Sequence, residues 1–286
     1  MNWSFTSDNN RKVALRRGGT GKYRLTLKGE MQTYNMKVKS TVCTDFLLRM
    51  KDISTSDVVI NIIVFRKEMI DCTNPAFKEM FSVTRQLEKL YDEITIRISF
   101  EGKILDIYNM DRIIENWDRL KKENVQYFDS FTDISDFFRL NDEKVKDKEF
   151  WKEVLDEQEI LFLLFQLPDY TLSFNHRKGM SRYNAFHSNS ILWEIETAKA
   201  DEQKDDSICT SKVTGLFNPG KEWVKKAYGS MPLLKDTNLS PKFNIHGHYN
   251  FDKETGWIED GNVYMEEIVH SEKLWHKMDY NIQMIL

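Results

Sequence analysis

Residues 273–286 read KLWHKMDYNIQMIL. Leu274, His276, Met278, Tyr280, Ile282, Met284 and Leu286 fall on one face of an extended chain. Lys273, Lys277, Asp279, Asn281 and Gln283 fall on the other, with Trp275 and Ile285 as its apolar exceptions. Successive side chains of a strand point to opposite faces, so a period of two marks a strand with one face buried. A pattern that holds to residue 286 predicts pairing in a sheet.

The same period recurs upstream. Tyr34, Met36, Val38, Ser40, Val42, Thr44, Phe46 and Leu48 alternate with a mostly polar set, Asn35, Lys37, Lys39, Thr41, Cys43 and Asp45. Tyr23, Leu25 and Leu27 alternate with Arg24, Thr26 and Lys28, and Lys28-Gly29-Glu30 reads as a turn between these two strands. Val58 to Phe65 (VVINIIVF) is apolar on both sides and β-branched, which predicts a central strand covered on both faces. Ile94, Ile96 and Ile98, with a turn at Glu101-Gly102, predict a hairpin returning over Lys103 to Tyr108. Further strands are expected over Ile191 to Thr197 and Ile208 to Phe217, around a polar loop at 201–206. Another is expected over Phe243 to Phe251, with a turn at 252–256 before Trp257.

Helical signals lie between these strands. Asn74-Pro75 supplies an N-cap and a first-turn proline. Phe77, Met80, Phe81, Val83, Leu87, Leu90 and Tyr91 then recur at helical spacing. Asn109 can cap a second helix carrying Ile113, Ile114, Trp117 and Leu120. A third stretch from about 147 to 167 starts charged, turns apolar and stops at Pro168. The order predicts one α+β domain over 1–286, built on a large, curved, mainly antiparallel sheet with inserted helices. Strands occupy 21–108 with a helix near 74–91, a helical insertion covers about 109–168, and strands fill 169–286. Regular βαβ alternation is missing, which excludes Rossmann-type and TIM-barrel folds.

Composition narrows the function. With 286 residues, 41% hydrophobic and 30% charged, the chain has a globular balance and not a disordered one. Lys+Arg of 41 against Asp+Glu of 45 leaves a net charge of −4, so nucleic-acid binding through bulk charge is not favoured. Cys43, Cys72 and Cys209 contain no CxxC pair and fit reduced thiols. Residues 1–8 lack a basic segment followed by an apolar run, and Ile160 to Leu167 spans only about 12 Å as a helix against a bilayer core of about 30 Å. No transmembrane segment is expected, and a cytoplasmic location is.

Candidate chemistry is sparse. Gly18-Gly19-Thr20-Gly21-Lys22 has Arg16 where a phosphate loop needs glycine and Tyr23 where it needs Ser or Thr, so it reads as a turn. His246 and His248, at i and i+2 on a strand, point to one face within reach of one metal ion. A third ligand would come from His270, His276, Asp252 or Glu266. His276 otherwise reads as a core histidine, and residues 176–183 as a basic turn. No nucleophile elbow, HExxH or SxxK set is present, and Glu266-Glu267 is too common a pair to assign acid or base roles. No cofactor is expected.

Arg11, Lys12, Arg16, Arg17, Lys22, Arg24 and Lys28 form a stretch without an acidic residue. It suits an acidic partner, an anionic lipid surface or RNA, or serves as a solubilising arm that shields an edge strand. Trp275, apolar on a polar face, marks a possible contact surface.

Residues 91–117, with Ile94-Thr95-Ile96-Arg97-Ile98, Gly102, Ile104, Asn109, Ile113-Ile114 and Trp117, resemble a pattern of uncharacterised proteins of Bacteroidota-type bacteria. That resemblance covers about thirty residues and implies no activity. The wider layout, a long antiparallel sheet with helices laid against it, is similar to lipoprotein-carrier folds. The missing catalytic motifs point away from an enzyme and toward a protein-interaction component, such as an adaptor, an immunity-type protein or an assembly protein. The alternatives are a carrier holding a hydrophobic ligand between sheet and helices, near Ile160–Leu167 and Val58–Phe65, and a metal-dependent enzyme using His246 and His248.

Overall fold

The computed structural model describes residues 2–6, 12–16, 19–54, 56–128, 132–170, 176–200, 207–231 and 239–285. The side chains of 2–6, 12–16, 124–128, 132–135 and 176 are excepted. The strands are β1 (Asn2–Thr6), β2 (Lys12–Arg16), β3 (Thr20–Thr33), β4 (Met36–Ile53), β5 (Asp57–Cys72), β6 (Glu93–Ser99) and β7 (Ile104–Ile107). After the helices come β8 (His176–Tyr183), β9 (Ser190–Lys199), β10 (Ile208–Phe217), β11 (Lys242–Asp252), β12 (Ile258–His270) and β13 (Leu274–Met284). The helices are α1 (Pro75–Glu88), α2 (Met110–Phe128), α3 (Thr132–Asn141), α4 (Lys148–Asp156), α5 (Glu159–Leu161) and α6 (Lys221–Tyr228). A π-helical turn, Phe162–Gln166, extends α5.

β1 and β2 form a separate two-stranded pair. The other strands make one open antiparallel sheet of 11 strands in the order β7-β6-β5-β4-β3-β13-β12-β11-β10-β9-β8. Neighbours in this sheet are consecutive in the chain except at one place. There β13 pairs with β3, from Leu274 opposite Thr33 to Met284 opposite Tyr23, and joins the two halves. The strand with the strongest sequence signal therefore holds the middle of the sheet.

One side of the sheet faces the helices. Tyr23, Leu25, Phe46, Leu48, Val58, Ile60, Ile62, Ile96, Ile98, Tyr249, Tyr280 and Ile282 are all buried there. Helix α2 adds Ile113 and Trp117, α4 adds Trp151 and Leu155, and the π-helical turn adds Phe162, Leu163, Leu164 and Phe165. The charged first half of the 147–167 stretch is α4 at the surface, and the apolar second half fills the core. At the other end α6 buries Ala227 and Tyr228.

Two glycines shape this packing. Gly102 turns the β6–β7 hairpin at φ +86, and a Cβ there would lie 2.7 Å from Gln166 Cα. Only glycine adopts that backbone without strain. It lets the hairpin press against the π-helical turn. In β11, a Cβ on Gly247 would lie 2.4 Å from the Asn262 carbonyl oxygen and 2.8 Å from Val263 Cα, so β12 approaches more closely than a side chain permits.

Several local expectations change. Lys28-Gly29-Glu30 is not a turn: β3 runs through it, paired to β4 and β13 on both sides. The hairpin turns instead at Tyr34, whose φ is 60 and whose N–H donates to the Lys273 carbonyl at 2.6 Å. A single mid-strand glycine costs little once two neighbours supply every backbone hydrogen bond. Residues 176–183 are not a basic turn but the edge strand β8. Arg177 is drawn into register by Glu194 at 3.2 Å and Glu196 at 3.1 Å on β9. β3 is not an edge strand, so the charge on Arg24 protects no edge. Arg24 clamps the buried Asp45 through two hydrogen bonds of 2.7 and 2.9 Å. Asn109 turns its side chain to the sheet, accepting from Thr95 N at 2.7 Å and donating to the Glu93 carbonyl at 2.8 Å. The loop 201–206 and the strand expected at 172–174 lie outside the described residues.

The far side of the sheet carries ion pairs beside exposed apolar side chains, Phe65, Leu192 and Leu216 among them, so the strand at Val58 to Phe65 is not covered on both faces along its whole length. Asp57 accepts two hydrogen bonds from Arg97, 2.8 and 2.9 Å, and a third from Ser56 Oγ. The Arg97 guanidinium holds its carboxyl down at about 2. A depressed carboxyl contributes stability above its unfolded pKa and loses it as pH falls. Asp57→Asn is therefore expected to cost about 1–2 kcal/mol at pH 7. The gap between wild type and variant should close between about pH 5 and 2. Urea unfolding of both proteins across that range checks this, and a gap independent of pH counts against the pair.

Candidate functional site

A cleft of about 320 Å³ lies between α1 and the sheet. Small-molecule pockets run from about 300 to 1,000 Å³. Its floor comes from the sheet: Leu25 and Leu27 of β3, Val42 and Thr44 of β4, Val64 of β5 and Met278 of β13. These positions follow from alternation, each being on the helix-facing side of its strand. Its roof comes from α1 and two connecting segments. Phe81, Arg85 and Glu88 lie on α1, Tyr91 and Asp92 follow it, and residues 157–160 lead into α5.

Helix α1 is built to cover the sheet and yet sits loosely on it. Asn74 caps it, accepting from Ala76 N at 3.0 Å, with Pro75 at its first turn. It has an amphipathic sequence, but none of its residues is buried. Met80 and Val83 are 56% and 66% exposed. A second space of about 290 Å³ lies along its other flank, bordered by Lys67, Met69 and Lys78. Ion pairs tie the helix down. Lys67 of β5 reaches Glu88 at 2.6 Å, and Arg85 reaches Asp92 at 2.7 Å.

The roof is rich in charge that the protein leaves partly unanswered. Arg85 Nη1 and Glu88 Oε2 are buried without a protein hydrogen bond, while Glu159 Oε2 lies beside the buried Tyr280 hydroxyl and Arg182. Behind the roof, Arg182 is buried. It donates to the Glu157 carbonyl at 2.8 Å, lies 3.5 Å from Glu159 Oε1, and stacks its guanidinium 4.4 Å from the Phe162 ring centroid. Burial pushes the Tyr91 hydroxyl up. Tyr280 is pushed up by burial and then by the Glu159 charge.

Beyond this cleft, Glu267 of β12 is 5% exposed on the helix-facing side. Its carboxylate accepts from Tyr228 Oη at 2.6 Å, Ala185 N at 2.7 Å and Asn184 Nδ2 at 3.2 Å. Burial raises its pKa, against the pull of those donors. The sequence holds no signal that separates Glu267 from its neighbour Glu266. The network pins α6 and the 184–189 turn to the sheet and opens onto no cleft described above, so it reads as a structural tie.

His276 lies directly opposite Glu267 across β12 and β13. Burial pushes its pKa down to about 4. The folded protein thus resists protonating it, while the unfolded chain accepts a proton near pH 6.5. Its contribution to stability is complete above about 6.5 and falls as pH drops toward 4, by up to about 1.4 kcal/mol per unit. His276→Gln is expected to flatten the slope between pH 6.5 and 4.5 in urea unfolding. An unchanged slope would place the titration on another group.

The other sequence candidates are scattered. His246 and His248 sit on the side of β11 away from the helices. His246 is exposed, with Nδ1 3.2 Å from Asn244 Nδ2 and its ring 5.0 Å from that of Tyr264. Among the described residues, no group of three His, Cys, Asp or Glu side chains could hold a metal ion. Trp275 is half-buried on the same side of the sheet, its ring between the ammonium groups of Lys37 at 5.2 Å and Lys277 at 5.3 Å. Arg11 and Arg17 lie outside the described residues, and of Lys12 and Arg16 only the backbone, in β2, is described. Gly19 and Gly21 of the phosphate-loop look-alike lead into and begin β3, not a helix. No helix among the described residues is long and apolar enough to cross a membrane.

No family model matches the chain, and no curated protein matches it. Among solved structures, the chain overlays lipovitellin, described for its lipid–protein interactions, over 95% of its length at 9% identity and a TM-score of 0.45. It spans 25% of that chain. It also overlays DynF from the dynemicin biosynthesis pathway of Micromonospora chersina, with 100% and 86% of the two chains covered, 6% identity and a TM-score of 0.23. An outer membrane channel from Pseudomonas putida F1 aligns over 96% and 97% of the two chains at 8% identity and a TM-score of 0.20. At these TM-scores none of the three carries an argument about function.

Proposed function

We propose that the protein carries a hydrophobic ligand in the cleft between α1 and the sheet. The observation that supports this reading is the cleft's construction. An apolar floor of Leu25, Leu27, Val42, Val64 and Met278 lies under a helix that buries none of its own residues. An amphipathic helix is ordinarily held by its apolar face. Here Phe81, Arg85 and Glu88 of the helix face the space, and a ligand filling it would complete the packing. The run Ile160–Leu167 contributes less than its sequence suggests. Leu161 to Leu167 are core, and only Ile160 lines the cleft.

The test is native mass spectrometry of protein purified gently from its own host, with titration of refolded protein by the apolar fluorophore N-phenyl-1-naphthylamine. The expected result is a stoichiometric adduct of a few hundred daltons, lost on denaturation, and saturable fluorescence. A bare monomer mass with no saturable fluorescence overturns the reading.

A protein-interaction role is the second reading. It is supported by the half-buried Trp275 and by Leu192 and Leu216, 67% and 55% exposed on neighbouring strands. A protein-sized mass increase in the same spectrum, lost in Trp275→Ala, would favour it.

A further inference from the structure

The two edges of the 11-stranded sheet are finished differently. At one end β7 is four residues long and is flanked by α4, whose Lys148 reaches Asp106 at 2.8 Å. At the other end β8 is eight residues long and pairs with β9 without a bulge. Among the described residues no strand pairs with its outer side. Proteins blunt such an edge with a short strand, a proline, a bulge or inward-pointing charges. Of these devices β8 has only the last, in Lys178 and Arg182. The turn beside β8 fixes the phase of its hydrogen bonds. Asn184 N donates to the Asn189 carbonyl at 3.0 Å, so the even residues of β8 form the bonded pairs with β9. The backbone N–H and C=O groups of Arg177, Gly179, Ser181 and Tyr183 therefore point outward.

Charge and shape say what pairs there. The three cations of β8 are each answered within their own chain. Arg177 lies 3.2 Å from Glu194 and 3.1 Å from Glu196, and Arg182 lies 3.8 Å from Glu157 and 3.5 Å from Glu159. Lys178 donates to the Pro168 carbonyl at 3.0 Å, with Asp169 and Glu101 supplying the opposite charge. An acidic strand would find no open cation, whereas a second copy of β8 arrives with its own charges balanced. Gly179 adds a shape requirement. Among the described residues nothing demands glycine there: its φ is not positive, and a Cβ would lie 3.7 Å from its nearest neighbour, an ordinary contact. A glycine inside a strand often marks the close approach of another chain. Tyr183, four residues on and on the same face, is 52% exposed.

We propose that two copies of the protein pair through β8, antiparallel about a two-fold axis, so that the sheet continues from one protomer into the other. Residues directly opposite one another share a face, which restricts the registers. Centring the pair on Met180 sets Lys178 against the partner's Arg182, with like charges opposed. It also sets Arg177 against the partner's Tyr183. Centring it on Gly179 places glycine against glycine and leaves Tyr183 outside the ladder. Centring it on Ser181 sets Gly179 against the partner's Tyr183, Met180 against the partner's Arg182 and Lys178 against the partner's Asn184. No like charges meet, and an aromatic ring covers each strand glycine, an arrangement that stabilises glycine in a sheet. Each contact occurs twice, as an isologous interface requires. The dimer therefore takes the register centred on Ser181.

The dimer is independent of the carrier reading, since neither α1 nor the cleft beneath it takes part. Sedimentation velocity of the purified protein, from about 1 to 100 µM, is expected to show a reversible monomer–dimer equilibrium within that range. Ser181→Pro removes an outward N–H at the axis and leaves the β8–β9 bonds in place. It should weaken the dimer at least about tenfold without moving the urea midpoint of the dilute protein. Ser181→Ala keeps the N–H and should dimerise as the parent does. In a Cys72→Ser background, where the remaining Cys43 and Cys209 are buried, Ser181→Cys should cross-link to its symmetry mate on oxidation. Gly179→Cys, which faces the partner's Tyr183, should not. A monomer throughout the range overturns the proposal. So does a dimer that Ser181→Pro leaves intact, or one in which Gly179→Cys cross-links as readily as Ser181→Cys. If Ser181→Pro lowers the urea midpoint, the two cysteine variants decide.

Discussion

Replacing Phe162 by alanine is expected to lower the stability of the protein by about 3–5 kcal/mol, the range for a large aromatic lost from a closed core. Phe162 is 0% exposed. Its ring meets Tyr280 edge-on at 5.9 Å between centroids. Its face supports the Arg182 guanidinium at 4.4 Å. The substitution would therefore open a cavity and also remove a cation–π contact from a buried charge. The π-helical turn it belongs to is wedged between the sheet and Gly102, so the neighbours have little room to collapse into the gap. Urea unfolding checks the value. Leu192→Ala, at a position 67% exposed, serves as the control and should change stability by no more than about 0.5 kcal/mol. A loss below about 1 kcal/mol for Phe162→Ala would mean that the segment is not part of the core.

Val42→Trp is expected to weaken binding of the apolar fluorophore about a hundredfold, near 2.8 kcal/mol, with little change in stability. Val42 sits on the cleft floor, between Leu27 of β3 and Met69 of β5 in the strand register. An indole there enters space that no protein atom occupies, so the overpacking penalty of a closed core does not apply. The same bulk removes the volume a ligand needs. The two readouts distinguish the site from the scaffold. Loss of binding with an unchanged urea midpoint supports the cleft as the ligand site. Unaltered binding would move the site elsewhere, and unfolding would show that the cleft is closed in solution. Together the two substitutions treat the apolar run and the cleft as separate things, although the sequence presents both only as hydrophobic segments.

How much of this was legible beforehand depends on the range of the interaction. Strands 243–251, 274–284 and 208–217 carry their own evidence, because a half-buried strand writes its two faces into every second residue. The cap at Asn74-Pro75 and the hairpin at Gly102 are equally local, since one backbone conformation selects those residue types. Lys28-Gly29-Glu30 misled because turn chemistry and mid-strand glycine look alike until the neighbours on both sides are known. Residues 176–183 misled because the basic residues that suggest a solvated turn also suit an edge strand facing Glu194 and Glu196.

The candidate site was hardly legible at all. Leu25, Val42, Val64 and Met278 are ordinary alternating positions, and Arg85, Glu88 and Glu159 are ordinary helix-surface charges. Nothing in their spacing connects them. They meet because β13 pairs with β3 across more than two hundred residues of chain, and because α1 folds back over that seam. What the sequence determined alone is the α+β class, the antiparallel character and most of the strands and helices, all set by periodicity within a dozen residues. What only the tertiary structure decided is which half of the sheet joins which, which side the helices cover, and where covering falls short of filling. A cleft is space left between elements, and it is defined by the distances among residues that no local pattern relates.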